Sequence, residues 1–354
     1  MKITIITVVY NNAATIERTI KSVINQSHKD VEYIIIDGGS TDGTLEVIKK
    51  YGKNISKWIS EKDSGIYNAM NKGIALATGD VVAFMNSDDW YVEDAIEKVN
   101  NQFCVGEYDI VFGNIVFCGE NTRKNSEVNM DSVDNMYLKM SVCHPATFAR
   151  KELFSKYGEF DEKYRVAADY EWILRVLNHK VKYAVLDDIL AEFSCEGISS
   201  REVEMTIEES RKIALKHAKT KEQIQEISYY YAMRIFPYRT DLSKERLRKV
   251  LKSKGKNIYI FGSGEYGKMY LELLRRYGFN VVGFIDNNRE KWWKEINGVM
   301  VRGIEDVVCG DAVVLIAIKN HEESIKVQLQ DIGFQDKSII TYLELIDKYY
   351  MTDE

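Results

Sequence analysis

The sequence predicts an α/β protein whose main sheet is largely parallel, with a second, smaller α/β unit behind it. Three observations predict it. From Met1 to about Arg201, short apolar runs alternate with helical stretches. From about Val203 to Lys254 the strand signal vanishes, and helix formers rich in Lys and Arg dominate. From Lys256 a new strand, glycine turn, helix and strand follow one another. The expected organisation is a domain over 1–202, a basic helical linker over 203–255, and a small βαβ domain over 256–354.

Composition sets the outer bounds. A chain of 354 residues suits two or three domains. With 45% hydrophobic and 29% charged residues it can bury ordinary cores. The net charge of −6 excludes nucleic-acid binding through bulk electrostatics. Residues 203–256 run against that balance, with 14 Lys and Arg against 7 Asp and Glu, a local +7. Five cysteines (Cys104, Cys118, Cys143, Cys195 and Cys309) show no paired or zinc-like spacing, which points to a reducing compartment. The opening run Lys2–Tyr10 is too short for a signal-peptide core, and no later apolar run reaches about 18 residues. The expectation is a cytoplasmic protein whose membrane contact, if any, is peripheral at the inner face.

Ile3–Val9, Val31–Ile36 and Val81–Met85 read as strands; Ala14–Ile24, Thr44–Lys50 and Tyr67–Ala77 read as helices. In open parallel sheets ligands bind outside the carboxyl ends of strands. The turns Tyr10-Asn11-Asn12 and Asp37–Thr44 should therefore open on one crevice. Small residues at 38–40 admit close approach of backbone N–H groups to a ligand. Asp37 and Asp42 can accept from a ribose or a base; the same stretch also reads as a turn capping the helix at 44–50. The third strand ends in Asn86-Ser87-Asp88-Asp89-Trp90. Adjacent carboxylates there repel one another unless a cation joins them, and hard oxygen ligands suit Mn²⁺ or Mg²⁺. The competing reading makes Asp88 or Asp89 the cap of a helix over Val92–Asn101. Asp169, entering the helical stretch Trp172–Leu177, is either a helix cap or a general base that takes a proton from an acceptor hydroxyl. His144, beside Pro145, is either a packed loop residue or part of an acceptor site.

Taken in order, these blocks resemble family 2 glycosyltransferases of the GT-A nucleotide-diphospho-sugar transferase fold, across about residues 1–200. The resemblance rests on Thr7-Val-Val-Tyr-Asn11, Asp37-Gly-Gly-Ser-Thr-Asp-Gly43, Asp63-Ser-Gly-Ile-Tyr-Asn-Ala-Met-Asn-Lys-Gly73, Gly79-Asp80 with Asn86-Ser-Asp-Asp89, His144-Pro145, and Ala168-Asp169 followed by Arg175. It implies an inverting transferase acting on a nucleotide-sugar donor, UDP-linked in expectation, and a glycan or lipid-linked acceptor of surface polysaccharide. It implies donor contacts from Thr7, Tyr10, Asn11, Asp37, Gly38, Ser40, Asp63, Asn71 and Asp88. Asp89, with Asp88, would hold Mn²⁺ or Mg²⁺, and Asp169 would be the base. Three positions depart from the pattern. Gly38 stands where many relatives carry a second aspartate, Met70 precedes Asn71 where many have Arg, and Ala168 replaces the commoner Glu.

The stretch Ser228–Arg239 interleaves aromatics with Arg, which suits either a membrane surface or a packing face between domains. Beyond it, Gly262-Ser-Gly264-Glu-Tyr-Gly267 follows the strand Ile258–Phe261 and opens the helix Tyr266–Tyr277. Asp286 ends the next strand, Val281–Ile285, about 20 residues on, as in dinucleotide-binding units. The segment resembles the Rossmann-like domain at the front of bacterial sugar acetyltransferases. A second nucleotide site at Gly262, Gly264, Gly267 and Asp286 is one expectation; a docking or structural role is the other. Two rival functions follow, an NAD-linked sugar-nucleotide oxidoreductase or epimerase and a non-catalytic sugar-nucleotide scaffold. The first lacks a Tyr-x-x-x-Lys pair, and both leave Asp88, Asp89 and Asp169 without a task.

Overall fold

The computed structural model describes residues 1–119, 122–235, 251, 257–318 and 321–341. The chain divides into two compact units, 1–227 and 228–354. In the first, the strands are β1 (Ile3–Val9), β2 (Val31–Asp37), β3 (Lys57–Ser60), β4 (Val81–Phe84), β5 (Trp90–Tyr91), β6 (Ile110–Gly119), β7 (Thr122–Asn125), β8 (Thr147–Arg150) and β9 (Tyr183–Ser194). The helices are α1 (Ile16–Ile24), α2 (Thr44–Lys50), α3 (Ile66–Leu76), α4 (Ala95–Val105), α5 (Met130–Asp134), α6 (Glu152–Tyr157), α7 (Ala168–Leu177), α8 (Ile198–Arg201), α9 (Val203–His217) and α10 (Lys221–Ile235), the last running across the unit boundary.

One sheet holds these strands in the order β3-β2-β1-β4-β8-β6-β9-β5, with β7 on β6. β1 is buried at every position because parallel strands flank it on both sides and helices cover both faces. Its side chains alternate between two cores. Ile6 and Val8 join Met70, Ile74, Phe84 and Trp172 in one, while Ile3, Ile5 and Val9 join Ile16, Ile20, Ile48 and Val99 in the other. The chain steps from β1 outward through β2 to β3, then returns to place β4 on the other side of β1. That reversal opens a crevice at the carboxyl ends of β1 and β4, where the Tyr10–Asn12 and Asn86–Asp89 turns lie.

The structure corrects the capping reading of the third turn. Trp90 and Tyr91 pair with β9 as a strand, and α4 begins only at Ala95, with Asp94 in the cap position. Asp88 and Asp89 cap nothing. Around the second turn, Asp42 does serve α2, accepting from the Thr44 N–H and hydroxyl and from the Ala13 N–H. The residues expected to start a linker at 203 instead fold, as far as 227, onto the first unit. Ile213 of α9 is fully buried in its core, because the apolar face of α9 finds α7 beside it. Much of the rest of the expected linker, 236–250 and 252–255, lies outside the described residues, as do residues 236–239 of the aromatic stretch.

The second unit has β10 (Asn257–Phe261), α11 (Glu265–Arg276), β11 (Val281–Ile285), β12 (Glu295–Ile296), β13 (Val299–Arg302), β14 (Ala312–Ile316), α12 (Glu322–Asp331) and β15 (Ile339–Ile340). Its sheet runs β12-β13-β11-β10-β14-β15, parallel except for β12 on β13. No described helix is long and apolar enough to cross a membrane.

Gly73 shows how closely α3 lies on the sheet, since a Cβ there would run into Cγ2 of the fully buried Ile6. Gly73→Ala is expected to destabilise the fold by about 1–3 kcal/mol through overpacking, in spite of alanine's better helix propensity. Urea unfolding checks it; an unchanged or raised midpoint would show that β1 and α3 can separate freely.

Candidate active site

The crevice is shaped by hydrogen bonds between the turns that end β1 and β2. Asn11 adopts a left-handed backbone (φ 48°), which turns its carboxamide oxygen onto the Thr41 N–H while its own N–H donates to Ser40 Oγ. Asp37 is fully buried, and its carboxylate accepts from the N–H groups of Gly39 and Ser40 and the hydroxyls of Ser40 and Ser60. Thr7 is likewise buried, 3.1 Å from the Tyr33 hydroxyl. Asp37 thus braces its own turn, while Thr7 bonds across from β1 to β2. The exposed rim is different. Tyr10 is 65% exposed, and a Cβ on Gly38 would sit 2.6 Å from Asp63 Oδ2 and 3.4 Å from the Tyr10 ring. Gly38, Tyr10 and Asp63 thus border one space, and the Asp63 carboxylate reaches into the room that the missing Gly38 side chain leaves. Asn71 faces elsewhere, bonding the Phe160 N–H and carbonyl and the Glu162 carboxylate.

The turn after β4 is gripped from α1. Thr15, Arg18 and Thr19 donate to the carbonyls of Ser87, Asp88 and Asp89 in turn, and Asn12 donates to Ser87 Oγ. Asp89 is only 1% exposed. Its Oδ1 accepts from the Ser194 N–H at the end of β9 (2.8 Å); its Oδ2 is buried without a hydrogen-bond partner. The nearest basic atom is His144 Nε2 at 3.9 Å, also buried and unbonded. His144 Nδ1 in turn lies 3.6 Å from Asp169 Oδ2. The opposite oxygen of Asp169 accepts from the Tyr67 hydroxyl (3.0 Å) and the Tyr170 N–H (2.9 Å). A line of charge therefore runs Asp88, Asp89, His144, Asp169, with Tyr67 at its far end.

These groups perturb one another. Burial and the adjacent Asp88 charge push the Asp89 carboxyl up to about 7. Burial likewise raises Asp88. At His144 burial opposes charging, yet the Asp169, Asp89 and Asp88 carboxylates win and hold its pKa above the ordinary imidazole value. Among the described residues no group of three or more His, Cys, Asp or Glu side chains is placed to hold a metal. The orphaned Oδ2 of Asp89, beside Asp88, still fits a hard cation that draws the rest of its shell from diphosphate and water.

Of the residues singled out in the sequence, the structure brings Asp88, Asp89, His144 and Asp169 to one place, and Tyr10, Gly38 and Asp63 to another. Sequence reasoning missed Tyr67 and Ser194. Tyr67 sits inside a block already singled out, but its partner is 102 residues away. Ser194 acts through its backbone, which leaves no side-chain signal. In the second unit, Gly262 has φ 102° and Gly264 faces open space, as a ligand loop would. Asp286, expected to face a ribose, accepts instead from Ser263 N–H and Oγ, Asn288 N–H and Lys291 Nζ. Burial opposes its ionisation, but these donors hold it below the usual carboxylate range.

A crevice at a parallel-sheet switch point, lined by paired aspartates and a third carboxylate on a following helix, is the layout of a nucleotide-diphospho-sugar transferase. The comparisons with known proteins agree, and the chain belongs to glycosyl transferase family 2, whose model, described as "Glycosyl transferase family 2", matches residues 4–175. A second model, described as "C2185-like, N-terminal", matches residues 254–340. A PGL/p-HBAD biosynthesis glycosyltransferase of Mycobacterium bovis (strain BCG / Pasteur 1173P2) is 32% identical over 176 residues, 48% of this chain and 67% of the relative. An uncharacterized glycosyltransferase of Mycobacterium tuberculosis (strain CDC 1551 / Oshkosh) is 32% identical over 204 residues, 56% and 77% of the two chains. The crystal structure of S. aureus TarS 1–349 in complex with UDP-GlcNAc shares the fold, with a TM-score of 0.53 at 18% identity over 78% of this chain and 80% of that one. Against the longer S. aureus TarS structure, this chain spans 43% of the length.

The Asp89 environment makes a stability prediction. A carboxyl whose folded pKa exceeds its unfolded one penalises the fold when ionised. That penalty begins above about pH 4 and is complete once pH passes the folded value. Asp89→Asn should therefore raise the thermal midpoint of the EDTA-treated protein, and by more at pH 8 than at pH 5. A lower midpoint for the variant at pH 8 would refute the burial argument.

Proposed function

We propose that the unit 1–227 is an inverting glycosyltransferase. It takes a sugar from a UDP-linked donor to a hydroxyl of a glycan or lipid-linked glycan. The observation that carries this reading is the convergence of Asp89, His144 and Asp169 at the mouth of the β1–β4 crevice, with the Tyr10–Gly38–Asp63 rim beside it. Tyr10 offers a ring face for a base. Asp63 stands in for the aspartate that Gly38 replaces and accepts from a base N–H. The UDP-GlcNAc complex of TarS, which shares the fold, supports uridine as the nucleoside.

Asp169 holds the acceptor hydroxyl and takes its proton as the oxygen attacks the anomeric carbon from the side opposite the nucleotide. Tyr67 and the Tyr170 N–H fix one oxygen of Asp169, leaving the other on the His144 side for the proton. His144 keeps Asp169 and Asp89 apart and screens their mutual repulsion. Asp89, with Asp88, would hold Mn²⁺ or Mg²⁺, which would supply charge stabilisation to the departing diphosphate. Every residue named in this chemistry lies within 1–227.

The test is a panel of UDP-, GDP- and TDP-linked sugars assayed for nucleotide release with and without EDTA. Asp169→Asn should keep donor affinity in calorimetry while its rate falls by roughly 100-fold or more. Asp89→Ala should abolish turnover, and Asp88→Ala should reduce it less. Full activity in EDTA would remove the cation from this reading, and an unimpaired Asp169→Asn would move the base elsewhere.

Asp63→Ala is expected to weaken UDP binding by about tenfold, in line with loss of one charge-assisted hydrogen bond. The assay is calorimetric titration with UDP and with GDP. Equal losses for both nucleotides, or none, would show that Asp63 does not read the base.

A further inference from the structure

We propose that Glu209, on α9 and beyond the family-matched segment, is a positioning residue for Asp169. The proposal rests on the reading of Asp169 as the base. Its observation is a set of three hydrogen bonds. Glu209 Oε1 accepts from the Arg165 N–H (2.7 Å), and Oε2 accepts from the N–H groups of Val166 (2.9 Å) and Ala167 (3.1 Å). These amides form the strand of chain that enters α7, and Asp169 lies two residues past the last of them. The residue in the cap position of α7 is Ala167, whose side chain can accept nothing. A carboxylate from a helix 42 to 44 residues further along the chain does the capping instead.

α9 is itself anchored where it matters. Ile213 is buried in the core beneath it, and Lys216 Nζ donates to Glu171 Oε1 on α7 at 2.8 Å. Glu171 also binds Arg175, which reaches the carbonyls of Tyr157 and Glu159. At its other end the same loop is fastened to Asn71 of α3. The chain 157–167 is thus tied along its length, and among the described residues Glu209 is the side chain that bonds the amides 165–167 at the end that carries the base. An in-line displacement is sensitive to misplacement of its base by fractions of an ångström. Loosening these amides lets α7 begin one turn later or rotate, and Asp169 leaves its place between Tyr67 and His144.

The experiment uses the full chain and the sugar nucleotide that gives the fastest nucleotide release in the panel above. It compares Glu209→Ala and Glu209→Gln with Val99→Ala, which destabilises the fold from the other core without touching α7, α9 or the loop. Glu209→Ala should lower kcat by about tenfold, with donor KM within about twofold of wild type. Glu209→Gln, which keeps one acceptor oxygen, should fall between the two. Amides 165–167 should exchange faster in Glu209→Ala, and Val99→Ala should show neither effect at matched stability. In an Asp169→Asn background, Glu209→Ala should cost nothing further, because the two act through one group. Wild-type kcat in Glu209→Ala overturns the proposal, as does an equal loss in Val99→Ala or a full additional loss on the Asp169→Asn background. Should Glu209→Ala not fold, Glu209→Gln carries the same comparisons. An Asp169→Asn variant with normal rate would instead overturn the base assignment, while the exchange of amides 165–167 would still report the clamp.

Discussion

A carboxylate buried at the end of β4 is the constraint on which the rest of the site depends. Asp89 has almost no contact with solvent and lies next to a second aspartate, so its charge must be answered from within the protein or by a ligand. One oxygen is answered by a backbone amide at the end of β9, which ties the strand that crosses to the far side of the sheet back to the crevice. The other is left toward His144, and His144 leads to Asp169. In the mechanism proposed above, the order of the charges is also the order of the chemistry, diphosphate at one end and acceptor at the other. Thr15 and α1 hold the backbone of the turn from outside by three successive carbonyl contacts.

The same logic explains why the catalytic unit extends past the family-matched segment. α7 has apolar residues along most of its length and a small residue in its cap position. It cannot position its own first turn. α9 supplies what is missing, a carboxylate for the amides leading into α7 at one end and the Lys216 cation for the buried Glu171 at the other. Glu171 is pulled well down, to about 2; burial opposes its charge, but His217, Lys216 and Arg175 outweigh it. An apparently basic linker thus includes a helix whose charges are spent on the catalytic unit.

Several side chains chosen from motifs as ligand contacts are bonded within their own unit. Thr7, Asp37, Asn71 and Asp286 are all buried. Asp37 and Asp286 share a reason: a turn at the end of a buried strand leaves backbone N–H groups with no ladder partner, and a short acidic side chain is the nearest acceptor. Thr7 instead joins β1 to β2 through Tyr33, and Asn71 joins α3 to Phe160. Motif spacing does not reveal whether such an acceptor faces its own turn or the ligand.

Much of the architecture was legible before any coordinates. β1 as an unbroken apolar run, Thr44–Lys50 as a helix and Val281–Ile285 as a strand were readable because burial on both faces or periodic burial writes itself into residue order. Asp88, Asp89 and Asp169 could be singled out from the sequence as carboxylates at strand and helix ends, with capping as the competing reading. Tertiary structure decided the rest. The β5–β9 pairing that frees Asp88 and Asp89 from capping, the Tyr67 bond to Asp169, and the Glu209 clamp each join residues about 40 to 100 positions apart. Local order records which side chains want burial or charge; which distant partner meets them is fixed only when the sheet and its helices close around one crevice.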